Sequence, residues 1–265
     1  MSLNHATEIA QQEAAVEELD NSAIEKAFKD AATYNSHLLG AVVLRDPFDP
    51  DFLPETDLVY EQLLNINNNS IMGSVEIPKI KVRIPIFHGT SAETLQKGVG
   101  HLTNTSLPIG GRSSHAVLTG HTGLSNATFF TDLDKLEIGD VFFVKVLNQT
   151  LAYEVDQIKV VLPSVTRDLL ITDGEDYVTL LTCTPYGINS HRLLVRGTRV
   201  PYEEEEIEEI KESIKPVEST WMAEYKRALM LGGIALAVVI TAFVIIRVFY
   251  FKRKKKKEES TVNPS

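Results

Sequence analysis

The chain has 265 residues, 36 acidic against 26 basic side chains, a formal net charge of −10 and a single cysteine. An acidic balance disfavours nucleic acid as a partner. One cysteine excludes an internal disulfide, and no cluster of further ligands surrounds it to suggest a metal site, so neither metal nor cofactor is expected.

Residues 1–40 read as an N-terminal helical region: 1–30 are polar and rich in Ala and Glu, and apolar residues near helical spacing over 6–39 predict one or two helices. They lack the basic start and apolar core of a signal peptide, so a precursor with an N-terminal hydrophobic segment is expected. Residues 41–56 contain Arg45-Asp46-Pro47-Phe48-Asp49-Pro50-Asp51, a strip stiffened by two prolines with an aromatic between acids. On its own it reads as a turn, because Asp-Pro pairs start turns.

Residues 57–201 hold short β-runs at 73–80, 81–87, 114–119, 141–147, 151–162, 177–183 and 192–200. Many short strands at close spacing predict a mainly β domain, barrel or sandwich, and about 130 residues bury an adequate core without staples. Leu118-Thr119-Gly120-His121-Thr122-Gly123-Leu124 runs from a strand into a glycine-flanked turn, which lets the imidazole of His121 approach a partner closely. Thr179-Leu180-Leu181-Thr182-Cys183-Thr184-Pro185-Tyr186-Gly187 delivers the thiol to a strand end where Pro185 and Gly187 force a turn. The returning strand begins at Arg192, which can face Cys183 across the hairpin.

A lone cysteine on an apolar strand reads from composition as an inert packed side chain. A nearby guanidinium argues otherwise, because a fixed cation lowers a thiol pKa and stabilises developing negative charge. Of the other histidines, His191 points to the face opposite Arg192, and His88, His101 and His115 are expected as structural or surface groups in turns or at strand ends.

Residues 202–227 form an acidic amphipathic stretch, expected as a solvated helix or stalk. In 228–250, the segment 228–246 carries no charge and at 1.5 Å per residue extends roughly 28 Å, enough for a transmembrane helix. Arg247 and the run from Lys252 to Lys257 follow, so the positive-inside rule places the 251–265 tail in the cytoplasm and the preceding domain outside a cell membrane crossed once.

Taken together, these motifs resemble the sortases, and specifically the class C, pilus-assembling sortases of Gram-positive bacteria. The resemblance covers roughly 41–200. It runs through Glu76-Ile77-Pro78-Lys79-Ile80, Pro85-Ile86-Phe87-His88-Gly89-Thr90-Ser91, Gly98-Val99-Gly100-His101-Leu102, Ser106-Leu107-Pro108-Ile109-Gly110-Gly111, the His121 turn, Phe130-Thr131-Asp132-Leu133-Asp134-Lys135-Leu136 and the Thr182-Cys183 hairpin. The family usually has Pro after Gly-Leu in the histidine turn, where this chain has Ser125.

The resemblance implies a closed barrel of about eight strands with short helices at 56–64 and 90–98, an N-terminal helical and lid region, and a C-terminal transmembrane helix. It implies Cys183 as nucleophile, His121 as proton donor and acceptor, Arg192 as the group that positions substrate and stabilises the oxyanion, and Thr182 as a substrate-side contact. It also implies that 41–56 is a lid, with Asp46 paired to Arg192 and Phe48 covering Cys183. The implied activity is cleavage of an LPXTG-like sorting signal between Thr and Gly and transfer to a pilin lysine amine. Two other readings stay open: a sortase that uses a peptidoglycan amine, and a non-enzymatic envelope module in which Cys183 is only packed.

Overall fold

The computed structural model describes residues 2–38, 44–49, 57–123, 129–202, 204–217 and 220–262. Eight strands close into one barrel: β1 (Ile71–Ile77), β2 (Val82–His88), β3 (Val99–His101), β4 (Ser114–Thr119), β5 (Val141–Val146), β6 (Gln149–Val161), β7 (Asp176–Thr184) and β8 (His191–Val200). Their spatial order is β1-β2-β3-β4-β7-β8-β6-β5. This is the closed barrel expected.

Closure follows from the side-chain pattern. Alternate residues such as Val75 and Ile77, Val178 and Leu180, and Leu193 and Val195 point inward and are essentially buried, so each strand contributes one apolar face to a common core. Burying each such side chain is worth ~1.5–3 kcal/mol. Two pairings are parallel, β2 with β3 and β4 with β7; the rest are antiparallel. The β2–β3 crossover is short and carries helix α4 (Ala92–Lys97), capped at its start by the Ser91 hydroxyl accepting from the Thr94 amide.

Three departures from the expected elements stand out. The run at 73–80 ends as a strand at Ile77, because Pro78 has no amide hydrogen for the ladder and begins a 3-10 turn, Pro78–Ile80. Strand β3 was not foreseen; three residues are too few to express an alternation. Of the helix expected at 56–64, Leu58–Gln62 forms (α3), capped by the Asp57 carboxylate accepting from the Val59 and Tyr60 amides, and residue 56 lies outside the described residues.

Two N-terminal helices, α1 (Ser2–Glu17) and α2 (Asn21–His37), pack on the barrel. Asp20 caps α2, accepting from the Ala23 amide at 2.8 Å. Asn35 fixes its far end: its side chain donates to the Leu107 carbonyl and accepts from the Leu107 amide at 2.7 Å. On α1, Glu13 bridges Arg83 and Lys145 at 2.8 and 2.9 Å.

Helix α5 (Glu204–Ser213) forms within the acidic stretch, but it is not a solvated stalk. Ile207 is buried against Phe143 and Ala152, with Ile210 packed beside it. Lys211 lies 5.2 Å above the Phe143 ring and 3.1 Å from Glu76, and the Val217 amide donates to the Lys79 carbonyl at 2.7 Å. The acidic residues screen a docked apolar face that faces the barrel wall.

A second unit, 218–265, contains one helix, α6 (Thr220–Val262). Its stretch Lys226–Val248 has mean hydropathy 2.8 and is long and apolar enough to cross a membrane, overlapping the span expected at 228–250.

Candidate active site

The parallel pairing of β4 with β7 brings two strand ends to the same rim of the barrel. Thr119 is the register partner of Leu181, and the Gly120 amide continues the ladder by donating to the Leu181 carbonyl at 3.0 Å. Extending that register by two residues sets His121 opposite Cys183. On the other side of β7, Cys183 is the register partner of Arg192 on β8. Three elements therefore bring His121, Cys183 and Arg192 to one edge of the barrel.

The histidine turn is tied to β7 on both flanks. The Thr182 hydroxyl donates to the Gly120 carbonyl at 2.7 Å and shares a 2.8 Å hydrogen bond with the Thr122 hydroxyl. A Cβ on Gly120 would lie 2.8 Å from the Phe130 ring, and one on Gly123, whose φ is +78°, would lie 2.8 Å from Tyr186 in the β7–β8 loop. Bare backbone is what lets the turn fit between these rings. Thr182, expected as a substrate-side contact, is 1% exposed and spends its hydroxyl inside the protein. Its position is that of a brace for the His121 turn. Thr122 was not singled out from sequence, since its partner appears only once β4 and β7 are paired.

The strip 44–49 covers this edge. Asp46 receives two parallel hydrogen bonds from Arg192, Nε to Oδ1 at 2.7 Å and Nη2 to Oδ2 at 2.6 Å, a bidentate geometry that fixes both planes. The remaining nitrogen of Arg192, Nη1, donates to the carbonyls of Asn189 and His191 at 2.9 and 3.0 Å. Phe48 sits between two of the candidates: its ring centroid is 5.3 Å from that of His121, and the Arg192 guanidinium carbon lies 5.2 Å from it. Leu44 and Phe48 pack with Leu102, Val117, Leu169, Leu181 and Leu194, a small apolar cluster on the outer face of the barrel. The rest of the lid expected over 41–56 lies outside the described residues.

Burial governs the electrostatics. It pushes the Cys183 thiol up; Arg192 opposes the rise and Asp46 adds to it. Burial also pulls His121 down. With the strip in place, both directions favour a neutral thiol beside a neutral imidazole over an ion pair.

Four other histidines have hydrogen-bond partners of their own. His88 hydrogen-bonds the Ser70 and Leu63 carbonyls, His101 the Tyr60 hydroxyl and the Ser106 carbonyl, and His115 the Leu170 carbonyl and the Thr179 hydroxyl. His191 meets the Ser190 hydroxyl. Among the described residues no group of three or more His, Cys, Asp or Glu side chains is arranged to hold a metal ion.

Comparison with known proteins places this arrangement. Residues 75–200 match the model of the sortase domain. Sortase C-1 from Streptococcus pneumoniae superposes with a TM-score of 0.70 at 49% identity, over 74% of this chain and 100% of that one. The pilus-related sortase C of Group B Streptococcus superposes with a TM-score of 0.67 at 44% identity, over 72% of this chain and 95% of that one. Sortase D of Bacillus subtilis (strain 168) is 32% identical over 131 residues, and the match spans 48% of this chain and 63% of that protein. Identity near one half, sustained over the whole of a solved sortase C-1, goes well beyond a shared fold: the chain belongs to the sortase family, with pilus-related sortases C among its structural relatives.

Proposed function

We propose that the chain is a class C cysteine transpeptidase that joins pilin subunits. In this reading Cys183 attacks the Thr-Gly carbonyl of an LPXTG-like sorting signal, forming a carbon–sulfur bond as the carbonyl electrons move to oxygen. Arg192 lies across the hairpin from Cys183, where it orients the peptide and stabilises that oxyanion. His121 takes the thiol proton and gives it to the departing glycine amine, leaving a thioacyl-enzyme. A pilin lysine amine then attacks the thioester, the thiol leaves, and an isopeptide bond remains. No cofactor enters any step.

The observation that carries this reading is the double engagement of the 44–49 strip. Asp46 occupies the Arg192 guanidinium while Phe48 fills the space between Arg192 and His121. A carboxylate and a ring so placed stand where a peptide would, which makes the strip a lid over a working site. A merely packed cysteine, as in a non-enzymatic envelope module, gives no reason for a bidentate acid to be delivered to the residue opposite it.

The positive-inside rule orients the chain in the membrane, with the barrel outside, the apolar helix crossing once and the 251–265 tail in the cytoplasm. Peptidoglycan amines are the rival acceptors. Incubation of the full chain in detergent with an LPXTG peptide is expected to yield an acyl adduct on Cys183 by mass, absent in Cys183→Ala. Pilin subunits and cell-wall amines offered in competition then decide the acceptor, and exclusive transfer to the wall amine would remove the pilin assignment. No adduct under any condition would remove the enzymatic one.

A further inference from the structure

Among the described residues, one side-chain polar atom is fully buried without a hydrogen-bond partner: the hydroxyl oxygen of Thr119, whose residue is 0% exposed. Buried hydroxyls are nearly always paired, because an unmade hydrogen bond leaves the desolvation cost uncompensated. The orphan lies on the last residue of β4, two positions before His121.

Its direction follows from the strand pattern. Ala116 and Leu118 point into the barrel core, whereas Val117 belongs to the outer cluster under Leu44 and Phe48. Thr119 alternates with Leu118 and so shares the face of Val117. Its register partner Leu181 is on that face too, as are Cys183, two residues further along β7, and Arg192 across from it. From strand spacing and rise, the Thr119 Cα lies ~8 Å from that of Cys183.

We propose that Thr119 is a substrate-contacting residue whose hydroxyl donates to a main-chain carbonyl of the bound sorting peptide. This rests on the transpeptidase reading above. An extended peptide advances ~3.3 Å per residue, so for a peptide running from Thr119 toward Cys183 an offset of ~8 Å corresponds to about two residues upstream of the carbonyl that Cys183 attacks. In an LPXTG-like signal that stretch carries the proline, whose nitrogen has no hydrogen to offer. A donor on the protein is therefore what the peptide backbone there can use. Apolar neighbours Val117, Leu181 and Leu194 hold its side chains, and Thr119 fixes its register along the floor.

The test uses the full chain in detergent carrying Phe48→Ala to loosen the lid, with Thr119→Val and Thr119→Ser compared against that parent. Thr119→Val keeps the shape and removes the hydroxyl. It is expected to lower kcat/KM for an LPXTG peptide about tenfold. Its melting temperature is expected to be equal or higher, since an unpaired buried group is gone, and Cys183 is expected to react with iodoacetamide at the parent rate. Thr119→Ser, which keeps the donor, is expected to stay within about twofold of the parent. Equal kcat/KM for Thr119→Val and the parent overturns the proposal while leaving the transpeptidase reading intact. A loss shared by both variants together with lowered melting temperatures also overturns it, in favour of a packing role. If the parent itself forms no acyl adduct, the transpeptidase reading fails and takes this proposal with it.

Discussion

Asp46 and Arg192, 146 positions apart in the chain, meet through two hydrogen bonds of 2.7 and 2.6 Å in which carboxylate and guanidinium lie fork to fork. Both side chains are largely buried, about a tenth exposed, so the pair is shielded from water on most sides. Such a pair is costly to break on one side only, because the survivor is left charged and unmatched. The strip is held by this contact and by the Phe48 ring, which lies against both Arg192 and His121.

Release of the strip should therefore register at the thiol. Burial raises the Cys183 pKa and Asp46 adds to it, so thinning the cover and removing the acid with Phe48→Ala and Asp46→Ala lowers it, leaving the pull of Arg192 less opposed. Each unit of decrease gives about tenfold more thiolate at neutral pH. The double variant is expected to alkylate at least about tenfold faster with iodoacetamide at pH 7, with the midpoint of the rate–pH profile displaced to lower pH. Identical rates and midpoints would mean that the strip does not guard the thiol.

Acid sensitivity should come from histidines away from the site. Burial holds both His101 and His115 down at about 4, against an ordinary value of 6.5. The unfolded chain then binds more protons than the folded one between these values, so stability is intact above pH 6.5 and drains away as pH falls toward 4. At pH 5 each group is expected to cost roughly 2 kcal/mol. Urea unfolding at a series of pH values checks this: His115→Gln should show a shallower loss between pH 6.5 and 5, by about one proton. A variant with the wild-type slope would contradict the assignment.

The docked helix α5 makes a separate prediction. Ile207 is 3% exposed against Phe143, so Ile207→Ala should cost about 2–4 kcal/mol in urea unfolding. A chain ending at Val217 should melt like one that retains α6, whereas a chain ending at Tyr202 should melt several degrees lower. Equal melting of the two shortened chains would show that α5 contributes nothing to the barrel.

Much of this was legible in sequence because alternation is a local signal. The β7–β8 hairpin could be read from its apolar periodicity and its turn residues, and the facing of Cys183 and Arg192 followed from the hairpin alone. The three-residue β3 is too short to carry any period. The docking of α5 was hidden for a different reason: Ile207, Ile210 and Lys211 sit in a run of glutamates, and their partners Phe143 and Glu76 are distant in the chain. Thr182 illustrates the same limit. Its hydroxyl is committed to Gly120 and Thr122, a relationship that exists only because β4 and β7 run side by side in the same direction.

That parallel pairing has a consequence for how such a chain can vary. An imidazole just past the end of one strand and a thiol on its parallel neighbour owe their separation to the ladder between the strands, and nothing to the length of chain that joins them. The intervening excursion, which builds β5 and β6 and returns, can lengthen or shorten at its turns while His121 and Cys183 keep their spacing. Insertions there are a place for grafting new recognition elements while that spacing holds.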